Sequence, residues 1–235
     1  MTNSRLFSSL LKIKNTIMRR INKPFNVVAV LLLATTFTVA ACSTTGLQRS
    51  EEVQSTMKTV DNDIKQIIVQ LDAIGASLDE LTKPGQADVK RAFELFEDNV
   101  SKIEKMEEDF SKHVNEMTEA GKTYFEEWDK DNNKYDNPEI QRRSDERREA
   151  LGQTYDRIEE NSVGVKEAFE TYVSDVTEIS SYISNDLTRR GITSIAPLAD
   201  NTVRNGSRLK NELENLQTAI EDARAEMAQS GVAIN

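Results

Sequence analysis

The spacing of its apolar residues constrains this chain most, because they recur alternately four and three positions apart along four long segments. A 3.5-residue repeat places apolar side chains on one stripe of an α-helix, through which helices pack in coiled coils. Ser50, followed by two acidic residues, is predicted to cap the first helix. The seam of that helix, meaning its apolar stripe, is Val53, Met57, Val60, Ile64, Ile67, Leu71, Ile74, Leu78 and Leu81. The pattern predicts a long helix with one buried face.

Three predicted breaks separate the four segments, at Pro84-Gly85, at 129–138 and at 191–197. Short connections force neighbouring helices to run antiparallel. Glu107 and Gly121 occupy seam positions of the second segment without being large and apolar, so we expect looser packing there. The predicted fold class is all-α, an elongated antiparallel helical bundle or coiled coil of about four long helices.

The predicted helices differ in length. The second, over about 86–128, and the third, from Asn137-Pro138, should be about 65 Å and about 75 Å long at a rise of 1.5 Å per residue. The first helix, and the fourth, which ends near Gln229, should be roughly 45–55 Å long by the same rise. We therefore expect the second and third helices to project as a two-helix hairpin at the 129–138 turn. The first helix should then start partway along the rod, on the side toward the hairpin.

The first 41 residues resemble a bacterial export signal that ends at the single cysteine of the chain, Cys42. They contain six basic residues and no acidic residue, and their apolar run over 27–40 is too short for a stable membrane span. The sequence Val39-Ala40-Ala41-Cys42 resembles the lipobox of bacterial lipoproteins. That resemblance implies cleavage between Ala41 and Cys42 and acylation, with palmitate among the acyl groups, of the cysteine that becomes the N-terminus.

These patterns divide the chain into a signal peptide over 1–41, a lipidated N-terminus and short linker over 42–49, a single elongated helical domain over 50–229, and a short tail over 230–235. Met18 is an alternative start to Met1, because the residues that follow it supply a complete basic region. With one cysteine, no intramolecular disulfide can form.

Charge excludes several classes of partner. Removal of residues 1–41 would leave 24 basic and 40 acidic residues, a net charge of −16. Nucleic acid is excluded because phosphates need basic patches, and electrostatic docking on anionic lipid is disfavoured. Membrane attachment is therefore expected through acyl chains on Cys42. Ser43 follows that cysteine in place of the aspartate associated with inner-membrane retention, so we expect the outer membrane, facing the periplasm.

The sequence offers little catalytic chemistry. His113 is the only histidine, so a zinc site of the usual ligands and Ser-His or Cys-His catalysis both lack the necessary cluster. The segment 129–135 superficially resembles a calcium loop, but Lys134 stands where that loop needs glycine and Ile140 where it needs glutamate. We expect no catalytic residue, no metal, no cofactor and no enzymatic activity.

Two groups of residues near the hairpin turn are candidates for partner binding. The aromatic group either caps the end of the seam or forms a partner-binding patch, since aromatic residues are enriched in binding hot spots. The basic group either pairs with Asp145 and Glu146, which interleave with it, or meets an acidic partner. The candidates are Tyr124, Phe125, Trp128, Tyr135, Arg142, Arg143 and Arg147, with Arg148 beside them.

The central segment resembles an uncharacterised proteobacterial family of coiled-coil lipoproteins, filed as a domain of unknown function. The residues that carry the resemblance are Phe125-Glu126-Glu127-Trp128, Tyr135, Arg142-Arg143-Ser144 and Tyr155. It implies a helical fold and an envelope location, and it implies no activity.

These observations predict a non-enzymatic structural, tethering or assembly protein of the bacterial envelope. Its partner would be another envelope protein or a second copy of the chain. The alternative is a helical ligand-binding or stress-sensing module of the periplasm. That alternative requires a cavity between helices, which we expect near Gly121 or Gly206.

Overall fold

A computed structural model describes residues 45–132 and 135–229, which form four long α-helices without a strand. Helix α1 spans Gly46–Thr82, α2 spans Val89–Asn132, α3 spans Pro138–Asn185 and α4 spans Arg189–Gln229. Their lengths are 37, 44, 48 and 41 residues. None of these helices carries a stretch apolar enough to cross a lipid bilayer.

Each helix packs against two others, so that the four surround one core. Helix α1 contacts α2 and α4, and α3 contacts the same two helices from the opposite side. Short connections join consecutive helices, which run antiparallel as predicted. The all-α bundle of four helices predicted from the apolar spacing is confirmed.

The seams form the core. All nine predicted seam residues of α1 are buried. In α3 the positions with the same alternating spacing, from Leu151 to Ile183, are buried as well. Burying one Leu or Ile side chain fully contributes about 1.5–3 kcal/mol. The continuous apolar core is therefore the main stabilising feature of the bundle.

Helix α1 begins earlier than predicted, and its cap is Thr45 and not Ser50. The Thr45 hydroxyl accepts a hydrogen bond from the Gln48 backbone N–H at 3.3 Å, and the Gln48 side chain accepts one from the Thr45 backbone N–H at 2.9 Å. This reciprocal capping box satisfies two backbone groups at once, which an isolated Ser50 could not do. Ser50 instead lies inside the helix, where its hydroxyl accepts a hydrogen bond from Gln54 at 3.1 Å.

Polar residues also begin the next two helices. The Asp88 carboxylate accepts a hydrogen bond from the Arg91 backbone N–H at 3.0 Å, so α2 starts at Val89, three residues later than predicted. Asn137 caps α3 by accepting from the Glu139 backbone N–H at 2.9 Å. Pro138 occupies the first position of that helix, as predicted, where its missing N–H costs nothing.

The predicted break at 191–197 is wrong, because α4 starts at Arg189 and continues through Pro197. The helix starts early because the Thr188 hydroxyl accepts a hydrogen bond from the Gly191 backbone N–H at 3.1 Å. A Cβ at Gly191 would lie 2.4 Å from the Asp186 carbonyl oxygen, so glycine there permits a tight α3–α4 turn. Pro197 is exposed, so water can hydrate the Thr193 carbonyl that loses its helical donor.

All four helices reach the level of one small cavity of about 10 Å³ near the hairpin. Its walls include Val53 of α1, Tyr124 of α2, Leu151 of α3 and Met227 of α4. From this level toward the α2–α3 connection, α3 extends for a further 13 residues, whereas α1 extends for only seven. At 1.5 Å per residue the hairpin projects beyond the start of α1 by about 10 Å, less than predicted. We call the end of the bundle at the α2–α3 connection the hairpin end. The opposite end, with connections 83–88 and 186–188, is the far end.

Candidate partner-binding surface

Three aromatic residues at the end of α2 form one packed cluster. The ring of Tyr124 lies edge-to-face against Phe125 at 5.3 Å and against Trp128 at 5.6 Å between centroids. Phe125 makes a similar contact with Tyr155 of α3 at 5.7 Å. All three cluster residues are partly buried against the core, and burial raises the pKa of the Tyr124 phenol. They cap the seam, which is one of the two roles expected of them.

The Trp128 indole N–H donates a hydrogen bond to the Ser144 hydroxyl at 3.1 Å. This bond crosses from α2 to α3 beside the hairpin connection. It joins the two parts of the motif on which the family resemblance rests, the aromatic run that ends at Trp128 and the Arg142-Arg143-Ser144 run. The motif therefore has a structural role in holding the hairpin together.

Gly121 tightens the packing instead of loosening it, contrary to prediction. A Cβ at Gly121 would lie 1.8 Å from the ring of Tyr155. The missing side chain lets this ring lie directly on α2, and its hydroxyl donates a hydrogen bond to the Met117 carbonyl. Burial raises the pKa of the Tyr155 phenol, which stays protonated and serves as a structural donor.

Tyr135 is separate from the cluster. It lies in the α2–α3 connection, is 47 % exposed, and makes no aromatic contact with any residue that the structure describes. Lys134 and its neighbour at 133 fall outside the described residues. The four aromatic candidates therefore do not form one continuous patch.

The first two arginines of α3 pair within their own helix. The Arg142 guanidinium contacts Glu139 at 2.7 Å and Glu146 at 2.5 Å. Arg143 contacts the same Glu139 carboxylate at 3.0 Å. Hydrogen bonds from Arg142 and then Arg143 lower the pKa of the Glu139 carboxyl. These i,i+3 and i,i+4 ion pairs correspond to pairing within the helix, one of the two roles expected for the basic group.

The next two arginines tie α3 to its neighbours. Arg147 donates to the side-chain and backbone oxygens of Glu226 on α4. Arg148 contacts Asp129 of α2 at 2.5 Å. All four arginines thus have partners within the bundle, and an acidic external partner for them stays a prediction.

Two grooves adjoin the glycines at which a ligand cavity was expected. One of about 690 Å³ lies between α2 and α3 beside Tyr155, the ring that packs on Gly121. The other, of about 270 Å³, lies between α1 and α4, with Gly206 and Tyr172 in its lining. Both are open to solvent.

Polar contacts that were not predicted cross the bundle farther along. His113 of α2 lies 2.7 Å from the carboxylate of Asp63 on α1, and Gln70 of α1 donates to the Asn99 carbonyl of α2 at 3.0 Å. The buried carboxylate of Asp61 accepts from Gln217 of α4 at 2.7 Å. Asp61 directly follows the seam residue Val60, so the sequence itself indicated that this carboxylate needs a polar partner near the core.

Burial by itself would raise the pKa of the Asp61 carboxyl, but hydrogen bonds from Lys65 and Gln217 outweigh it and lower the pKa. Glu107 behaves in the opposite way. Its partial burial, and next the nearby charge of Glu170, raise its pKa. The contacts of Asp61, Asp63 and Gln70 each join α1 to a neighbouring helix.

No group of three or more His, Cys, Asp or Glu residues within 45–132 and 135–229 is placed to hold a metal ion. The predicted cleavage and acylation site, Ala41 and Cys42, falls outside the described residues, so its assignment rests on the sequence.

A family described as a protein of unknown function, DUF2959, matches residues 51–230, more than three quarters of the chain. The chain therefore belongs to this family, in agreement with the resemblance recognised from the hairpin motif. No curated protein and no solved structure matches it.

Proposed function

We propose that this member of the DUF2959 family is a lipid-anchored protein of the bacterial envelope that acts as a non-enzymatic tether or assembly protein. The observation that carries the proposal is the short distance in sequence between Cys42 and the first helix. Helix α1 begins at Gly46, so only residues 43–45 separate the two. A segment of three residues spans at most about 11 Å.

So short a connection constrains how the bundle stands on a membrane. The start of α1 lies at the hairpin end, so acyl chains on Cys42 would hold that end near the lipid. The far end would extend about 55 Å away, the length of the 37 residues of α1 at 1.5 Å per residue. An anchored bundle of this kind presents its far end and its sides to other proteins.

The charge of the chain also supports anchoring by lipid. The part of the chain after residue 41 carries a net charge of −16, so anionic headgroups would repel it. More than one acyl chain is sufficient for stable attachment where electrostatic attraction is absent.

Fractionation of cells that produce Cys42→Ala tests this proposal. The variant should lose the membrane association of the wild type, because no acyl acceptor remains. A matched Ser43→Ala variant keeps the cysteine and should stay with the membrane. Continued membrane association of Cys42→Ala would refute acyl anchoring.

A ligand-binding role is a second candidate, supported by the groove of about 690 Å³ between α2 and α3. Its aromatic lining, partly buried Phe125 and the edge of the buried Tyr155 ring, is suited to apolar groups. Native mass spectrometry of protein purified from its own membrane tests this candidate. A retained small molecule that Gly152→Leu removes would support it, and identical ligand-free spectra would reject it.

A further inference from the structure

The groove between α2 and α3 combines an apolar floor with an acidic rim. Phe125, which is partly buried, and the small exposed edge of Tyr155, which is 7 % exposed, supply the aromatic surface, and Gly152 also lines the groove. Its lining residues are Thr118, Lys122 and Phe125 of α2, and Asp145, Arg148, Glu149, Gly152, Gln153, Tyr155, Asp156 and Glu159 of α3. An aromatic surface bordered by charge is typical of a site that binds a side chain of a partner.

Packing within the bundle does not require the glycine at 152. Gly121 and Gly191 are needed because a Cβ would strike another residue, but a Cβ at Gly152 would meet nothing within 4 Å. Glycine inside a helix costs about 0.5–1 kcal/mol relative to alanine. Gly164 is equally open but does not line the groove. The consequence specific to Gly152 is access to the aromatic rings beneath it.

The rim of the groove carries unneutralised negative charge. Glu149, Asp156 and Glu159 are exposed and form no ion pair with the part of the chain that the structure describes. The first and last of them are ten positions apart in α3, about 15 Å at 1.5 Å per residue. The arginines around them are engaged elsewhere: Arg148 contacts Asp129, and Arg157 lies 3.6 Å from Asp222.

The two cations of the lining do not balance its acids. Four carboxylates line the groove, against Lys122 and Arg148. Lys122 lies 4.0 Å from Glu126, so part of its charge is directed away from the groove. The potential over the aromatic floor is therefore negative, which attracts cations and disfavours anionic ligands.

We propose that this groove docks a cationic segment of a partner protein. An apolar or aromatic side chain of the segment enters at Gly152 and packs on Phe125 and Tyr155, while flanking Lys or Arg residues face Glu149 and Glu159. A second copy of the chain fits poorly, because its net charge after residue 41 is −16 and its four hairpin arginines are paired internally. The proposal rests on the assembly role proposed above and specifies the chemistry of the partner.

A binding assay with a defined probe tests the proposal. The probe is a fluorescent 12-residue peptide of lysines with one central phenylalanine, and the full lipidated protein is held in phosphatidylcholine nanodiscs at ~0.15 M salt. Fluorescence anisotropy should show saturable binding that empty nanodiscs lack. Gly152→Leu should weaken this binding at least tenfold, because leucine fills the opening without changing any charge.

The matched control is Gly164→Leu, the same substitution in the same helix outside the groove. It should bind the peptide as the wild type does. Equal binding by both variants would overturn the proposal, since attraction would then come from the acidic surface as a whole. Absence of binding to the wild type would also overturn it. Unchanged circular dichroism spectra of both variants would show that the helices are intact.

Photo-crosslinking in cells from Gln153, which lines the groove, identifies the occupant. A product with a protein whose crosslinked segment is rich in Lys or Arg supports the proposal. A product with a second copy of this chain would contradict it. Neither outcome depends on the membrane, so failure here is distinguishable from failure of the anchoring proposal, which Cys42→Ala tests.

Discussion

Substitution of Gly121 by alanine tests the packing of the hairpin end most sharply. The new Cβ would lie 1.8 Å from Cζ of Tyr155, 2.0 Å from its hydroxyl oxygen and 2.4 Å from Cε1. The ring must therefore move, and its hydrogen bond to the Met117 carbonyl must break or distort. The contact between Tyr155 and Phe125 would change with it.

The expected magnitude follows from three contributions. Overpacking a filled core costs about 1–3 kcal/mol, and loss of the buried hydrogen bond adds about 0.5–1.5 kcal/mol. Replacing glycine by alanine inside a helix stabilises the helix by about 1 kcal/mol, which offsets part of this loss. We therefore expect Gly121→Ala to lower the free energy of unfolding by about 0.5–3.5 kcal/mol.

Urea unfolding followed by circular dichroism measures this change, with Gly152→Ala as the matched control. A Cβ at Gly152 meets nothing within 4 Å, so that variant should gain about 0.5–1 kcal/mol from helix propensity alone. The two variants share the same chemical change and differ only in their surroundings. Equal stabilities of Gly121→Ala and Gly152→Ala would refute the close approach of Tyr155 to α2.

The remaining predictions concern the hairpin, one acid of the seam and the anchor. Trp128→Phe should lower the free energy of unfolding by about 0.5–1.5 kcal/mol through loss of the hydrogen bond to Ser144. Adding Ser144→Ala to this variant in a double-mutant cycle should lower it little further. Fully additive losses would contradict a shared hydrogen bond. The pKa of Glu107 is raised in the folded state, so ionisation of this carboxyl opposes folding as the pH rises through that pKa. Glu107→Gln should therefore stabilise the protein at pH 7, and this stabilisation should disappear below about pH 4. A stabilisation by Glu107→Gln that does not change with pH would show that it comes from packing and not from the charge of Glu107. Ser43→Asp should move the protein from the outer-membrane to the inner-membrane fraction, and an unchanged distribution would contradict sorting by the residue after Cys42.

The repeat of apolar residues predicted most of the fold because helix packing depends mainly on local periodicity. The seams of α1 and α3 are buried as the spacing indicates. The Thr45 cap was missed although its Thr-x-x-Gln pattern is visible, because the acids after Ser50 favoured the later start. The break at 191–197 was wrong because buried Ile192 and Ala199 extend the core along α4 on both sides of an exposed Pro197.

The site was less predictable, because its contacts depend on the register between helices. The pairs of Arg142 with Glu139 and Glu146 follow from spacing along one helix. The pair of Arg147 with Glu226 joins residues 79 positions apart and requires the bundle geometry. The role of Gly121 depends in the same way on a ring from another helix.

The proposed lipid anchor on Cys42 should hold the hairpin end of this bundle at the membrane. Energy transfer from a dye on the protein to acceptors on lipid headgroups tests it in proteoliposomes. An acylated Cys42 leaves no other cysteine to label, so Ile140→Cys and Ala87→Cys place a single dye at the hairpin end and at the far end, respectively, both at exposed positions. Anchoring at the hairpin end should give strong transfer from position 140 and weak transfer from position 87, whereas equal or reversed transfer would contradict it.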